Sequence, residues 1–122
     1  MKVDPIIDLK KIKSIKKLLS DNARDRLLFT MGINSGLRVQ DILAIKISDV
    51  KSSKIGDRIA VKEKKTGKAN VFIMNKEILT ALHEHLRTID LKDEHFLFKS
   101  RKGSNYPLTT YAVTQMVQRW AD

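Results

Sequence analysis

Apolar residues first recur at helical spacing. Over residues 8–19, Ile12, Ile15, Leu18 and Leu19 fall on one face while Lys10, Lys13, Lys16 and Lys17 project elsewhere, which predicts an amphipathic helix. Asp21 or Asn22 can cap a second helix, which carries Leu27, Leu28, Phe29, Met31 and Ile33. That helix is apolar on most sides and so central, and Gly36 ends it. A short third helix turns Val39, Ile42, Leu43 and Ile45 inward. Residues 58–63 and 69–74 read as two strands joined by the turn Lys64-Lys65-Thr66-Gly67-Lys68.

Asn75 caps a helix that runs to about Arg87, with Ile78, Leu79 and Leu82 facing in. Phe96-Leu97-Phe98 is a short apolar segment and Arg101-Lys102-Gly103-Ser104 a polar turn. Thr109 or Thr110 caps a last helix. The expected fold is α+β and mainly helical, with helices packed on a small antiparallel hairpin. In the last helix Val113, Met116, Val117 and Trp120 form an apolar stripe. Either the rest of the core covers it, or a further C-terminal part or a partner does.

Length and composition narrow the possibilities. The 122 residues suit one domain, and a hydrophobic fraction of 42% can fill one core. No cysteine is present, which excludes disulfides and thiolate metal sites and fits a reducing compartment. No apolar run is long enough to span a bilayer, and the basic N-terminus lacks the apolar core of a secretory signal. The expected location is the cytoplasm. Lys and Arg number 24 against 14 Asp and Glu, a net charge of +10. Such an excess favours a polyanionic partner, because neutralising phosphates releases counterions. A solvated lysine-rich surface is the plainer alternative. No helix joins Trp or Phe to a basic face, so a membrane surface is not expected.

The run Ser35-Gly36-Leu37-Arg38-Val39-Gln40-Asp41-Ile42-Leu43 carries the clearest candidate chemistry. It fixes an arginine where one helix stops and the next begins. A guanidinium keeps its proton and offers a planar fork of donors to two phosphate oxygens. Asp41 lies three positions on and either orients that fork or forms an ordinary surface pair with it. Lys65 sits at the hairpin tip among Lys62, Lys64 and Lys68. A lysine there can touch a nucleic-acid backbone or protonate a leaving alkoxide. A solvated turn that discourages edge pairing is the alternative. His83-Glu84-His85 does not have metal-ligand spacing on a helix, and no metal is expected.

In combination these features resemble the catalytic domain of the tyrosine recombinases, the phage integrase family. That family carries a Ser/Thr-Gly-Leu-Arg run, an acidic residue three positions after the arginine and an apolar pair next. Here these are Ser35 to Arg38, Asp41, and Ile42-Leu43, with Asp49-Val50 closing the block. A hairpin with a Lys-Thr-Gly-Lys turn follows, matched by Lys65 to Lys68, then a helix, a Leu-Phe segment with a basic Gly turn, and another helix. The likeness covers nearly the whole chain.

The resemblance implies that Arg38 clamps the scissile phosphate and steadies the charge of its transition state. It implies that Lys65 is the general acid toward the leaving 5′-oxygen and that Asp41 supports Arg38. Lys62, Lys64, Lys68, Arg101 and Lys102 become candidate DNA contacts. The reaction needs neither metal nor nucleotide cofactor. The partner is duplex DNA, with self-association in a recombination synapse.

The family's His-x-x-Arg box and nucleophilic tyrosine have no counterpart before Asp122. Tyr106 and Tyr111 precede the place where that box would start. Nor is there room for an N-terminal clamping domain. The expectation is therefore a single partial catalytic domain over residues 1–122 that cuts no DNA by itself. A non-catalytic DNA-binding regulator and a helical interaction domain remain as alternatives.

Overall fold

The computed structural model describes residues 9–63, 66–100 and 105–121. Helix α1 (Leu9–Leu18) and helix α2 (Ala23–Asn34) lead into two single-turn helices, α3 (Val39–Ile42) and α4 (Ile47–Val50). Strands β1 (Arg58–Lys62) and β2 (Ala69–Ile73) follow, then α5 (Lys76–Thr88) and α6 (Thr110–Ala121). The fold is α+β and mainly helical, as the pattern predicts. Among the described residues no helix is long and apolar enough to cross a membrane.

Local chemistry sets these boundaries. The Asn22 side chain accepts from the Asp25 N–H at 3.1 Å and starts α2. Asn75 does the same for α5 through the Ile78 N–H at 2.8 Å. Thr109, rather than Thr110, caps α6 by accepting from the Ala112 N–H at 3.0 Å. The hairpin pairs Arg58 with Ile73 and Lys62 with Ala69. Its turn closes where Glu63 donates to the Lys68 carbonyl at 2.7 Å and accepts from the Gly67 N–H at 2.8 Å.

The centre of the core is α2 against α5. Leu27 and Met31 of α2 are fully buried, as are Phe98 and Met74, and Ile78, Ala81 and Leu82 face them from α5. Arg26 and Glu84 pair across the same interface at 2.8 Å. Helix α6 lays its stripe into this core: Val113, Met116 and Trp120 are buried. The Trp120 ring meets Phe29 edge-on at 6.0 Å. The chain's own core therefore covers the stripe. Lys11 of α1 closes the far end of α6 by donating to the Ala121 carbonyl.

One inward assignment is corrected. Leu18 is 62% exposed, and Leu19 is buried in its place. Leu19 stands four residues after Ile15, on the same helical face, while Leu18 is rotated about 100° from it. Residues 45–50 also hold a turn of helix, α4, that the hydrophobic pattern does not announce. Asp49 makes it possible: the Lys46 N–H donates to its carboxylate at 2.9 Å, and the Asp49 N–H donates to the Lys46 carbonyl at 3.0 Å.

The Ser-Gly-Leu-Arg run has a direct reading. Ser35 Oγ accepts from the Leu37 N–H at 3.2 Å, Gly36 adopts φ +74°, and Leu37 returns to the core. Nothing lies within 4 Å of a Cβ added at Gly36, so only the backbone conformation resists a side chain. Gly36→Ala is expected to destabilise by about 1–2 kcal/mol. Gly32, helical and equally open, is expected to gain about 1 kcal/mol on the same change. Urea unfolding of the two variants checks the contrast.

Candidate functional site

Arg38 is the residue on which α3 opens. Its backbone is extended at φ −71° and ψ 151°, and its carbonyl accepts from the Asp41 and Ile42 N–H groups at 3.0 Å each. Leu37 is anchored on one side and Ile42 on the other, at 8% and 1% exposure, so the backbone at 38 is held while its side chain faces water. Among the described residues no ion pair includes Arg38. The guanidinium is thus presented on a fixed support and open to an anion.

Asp41 is only 1% exposed. That corrects the surface-pair reading: its carboxylate is inside the fold, where a charge requires a partner. The helical spacing is as expected, but α3 turns that face inward together with Ile42.

Beside α3 lies an open cleft of about 1240 Å³. Gln40, Leu43 and Ala44 form one wall, and Lys62, Glu63 and Gly67 from the turn end of the hairpin form another. Phe96, Ser100 and residues 106–110 complete it. The structure thus brings the arginine block and the hairpin to one depression. Lys62 lines it; Lys68, on the other side of the turn, is exposed. Arg38 stands two residues before Gln40 but is not itself part of the lining. Lys64, Lys65, Arg101 and Lys102 lie outside the described residues, as does the polar turn 101–104.

Two features of the cleft escape a reading along the chain. Lys46 is exposed, and its ammonium stands 5.6 Å from the centre of the Phe96 ring, at the cleft edge. An antiparallel bridge between residues 46 and 96 puts it there. Tyr106 lines the cleft and is 65% exposed, while Tyr111, in the first turn of α6, is 73% exposed. A second bridge, between Lys99 and Pro107, holds the segment that carries Tyr106. Neither bridge has a local sequence signal, since each joins short irregular stretches.

The histidines split as their spacing requires. His83 is exposed and His85 is buried, so the two do not share a face. No group of three or more metal-binding side chains occurs among the described residues.

Comparison with known proteins bears on this arrangement. Residues 6–122 match the model of the phage integrase family. A probable integrase/recombinase of Bacillus subtilis, YoeC, is 38% identical over 99 residues, covering 80% of this chain and 52% of that protein. The tyrosine recombinase XerA of Pyrococcus horikoshii is 28% identical over 108 residues, covering 87% of this chain and 37% of that protein. This chain therefore spans about half or less of the length of these relatives.

Among solved structures, XerA recombinase superposes with a TM-score of 0.74 at 23% identity, over 97% of this chain and 42% of that one. The Tn1549 transposon integrase, solved in complex with circular intermediate DNA, gives 0.65 at 18% identity, over 98% of this chain and 43% of that one. Those two likenesses establish the fold, and the family match establishes descent: the chain belongs to the phage integrase family, the tyrosine recombinases.

Proposed function

We propose that this chain is the part of a site-specific DNA recombinase that grips duplex DNA and supplies the first cations of the cutting site. The supporting observation is that the turn end of the hairpin and α3 meet on one cleft, with exposed Arg38 two residues before the lining residue Gln40 and in no ion pair among the described residues, in a chain of net charge +10. In this reading Arg38 binds the scissile phosphate in its donor fork, and its fixed backbone means little reorganisation as charge builds on the phosphoryl oxygens. Lys65 protonates the leaving 5′-oxygen. It lies two residues from Glu63 and two from Gly67, both on the cleft. Asp41 steadies the start of α3 and so supports Arg38.

Lys62, Lys64, Lys68, Arg101 and Lys102 contact the DNA backbone beyond the scissile position. In the whole protein a tyrosine attacks the phosphate, a 3′-phosphotyrosine conserves the bond energy, and strands are rejoined without metal or nucleotide cofactor. Further copies meet in a synapse, and the reaction takes place in the cytoplasm.

Arg38→Ala tests the reading. The side chain is exposed, so stability should change by less than about 0.5 kcal/mol. Duplex affinity should fall uniformly across sequences, and the slope of log affinity against log salt should shrink by about one. A variant that unfolds, or that binds duplex DNA as the parent does, overturns the assignment of Arg38.

A further inference from the structure

Among the described residues, His85 Nδ1 is a buried side-chain atom with no hydrogen-bond partner. The residue is 3% exposed. Its other ring nitrogen, Nε2, lies 3.1 Å from the Leu97 carbonyl oxygen. A carbonyl can only accept, so Nε2 carries the proton and Nδ1 is bare. The ring stacks on Phe98, with centroids 6.4 Å apart and planes 11° from parallel.

The segment that His85 holds supports the cleft on both sides. The Leu97 N–H donates to the Ile45 carbonyl at 2.9 Å, just beyond α3. The Phe98 carbonyl accepts from the Leu108 N–H at 2.8 Å, and the Ser100 N–H donates to the Tyr106 carbonyl at 2.7 Å. Ser100, Tyr106 and Leu108 all line the cleft. One extended segment therefore runs from the imidazole to the α3 side and to the 106–108 wall.

We propose that His85 is a pH-sensitive latch: its neutral ring seats residues 97–98, and protonation at Nδ1 loosens the cleft wall that those residues carry. A second N–H at that position is a buried donor without an acceptor, and its charge is poorly solvated.

The charged neighbours do not offset this. From α2, Arg24 and Asp25 face the ring, but they pair with each other at 3.0 Å. On its own helix, Glu84 is taken by Arg26. Asp21, Asp90 and Lys99 line the adjoining cavity of about 510 Å³, which His85 also borders. Burial is the largest influence and lowers the imidazole's proton affinity from its ordinary 6.5; the Leu97 bond opposes it, Arg24 reinforces it and Asp25 opposes it. The sign follows. The unfolded chain takes up this proton at a higher pH than the folded one, so the latch is whole above pH 6.5 and is lost as pH falls from there through the folded value.

Amide hydrogen exchange at Leu97 and Leu108, expressed as protection factors, tests the latch from about pH 7.5 down through the protonation of the His85 ring. The imidazole signals of His83, His85 and His95 are followed in the same samples. Protection at both amides should fall roughly tenfold, in step with the His85 ring and not with the other two. His85→Gln keeps a donor for the Leu97 carbonyl and cannot ionise; in that variant protection should stay flat. Constant protection while His85 titrates, or an equal fall in His85→Gln, overturns the proposal. Should that variant not fold, the match between the Leu108 protection curve and the His85 curve of the parent decides alone.

The consequence for DNA rests on the reading of the cleft given above: duplex affinity should fall over the same pH range in the parent and less in His85→Gln. No duplex binding at any pH, together with the exchange result, removes the DNA reading and leaves the latch standing.

Discussion

Phe98→Ala is expected to cost about 3–5 kcal/mol of folding stability, the range for truncating a fully buried aromatic ring. The ring has no exposed surface and is stacked on His85. Its carbonyl holds the Leu108 N–H at 2.8 Å, so the cavity would open directly behind the cleft wall. Collapse into it is restrained, because Leu97 on one side and the Lys99–Pro107 bridge on the other fix the backbone. In a chain of this size the thermal midpoint should drop by roughly 10 °C or more. Phe98→Leu keeps most of the volume and should cost clearly less. Equal losses for the two variants would show that the stacked geometry matters more than the filled space. A loss under about 1 kcal/mol for alanine would mean that the site repacks, contrary to the restrained backbone described here.

That segment also marks where sequence reasoning reaches and where it stops. Phe96-Leu97-Phe98 stands out as apolar, but nothing local says that it bridges Lys46, that Lys99 after it bridges Pro107, or that it receives a buried histidine. Elements with a clear apolar pattern or strong punctuating residues were legible: α5 and α6 follow from helical spacing with Asn and Thr caps, α2 from its apolar run between Asn22 and Gly36, and the hairpin from its turn. Single-turn α4 was not, since four residues give no period, and its stability comes from the Asp49 carboxylate. Asp41 shows the same limit in the candidate site. Its distance from Arg38 in sequence allows a surface pair, and only the packing of α3 on the core decides that it is buried. The identity of Arg38 was visible in the helix stop that precedes it. The meeting of α3 with the turn end of the hairpin was not, because that depends on where the two-stranded sheet sits against α3.

Duplex DNA affinity is expected to fall by about a thousandfold between roughly 50 and 200 mM salt, as for a protein that makes about six phosphate contacts. Such contacts are proposed for six cations, Arg38, Lys62, Lys64, Lys68, Arg101 and Lys102, and the role of general acid for Lys65. The magnitude alone does not separate a cleft from a diffuse positive surface, because a chain of net charge +10 attracts polyanions anywhere. Location does. Replacing Arg38, Lys62 and Lys68 together by Ala should lower the salt slope by about three. Replacing exposed Lys13 and Lys17 of α1 should leave it nearly unchanged. Lys11 ties α1 to the C-terminal end of α6, whereas the cleft takes Thr110 from the N-terminal end, and twelve residues of helix separate those ends by about 16 Å. That distance exceeds the screening length of about 8 Å at physiological salt, so a charge at the Lys11 end of α1 contributes little to phosphates held near Thr110. Equal loss of slope per lysine removed from either place would mean that DNA is drawn to overall charge, and the cleft would have no claim to be its seat.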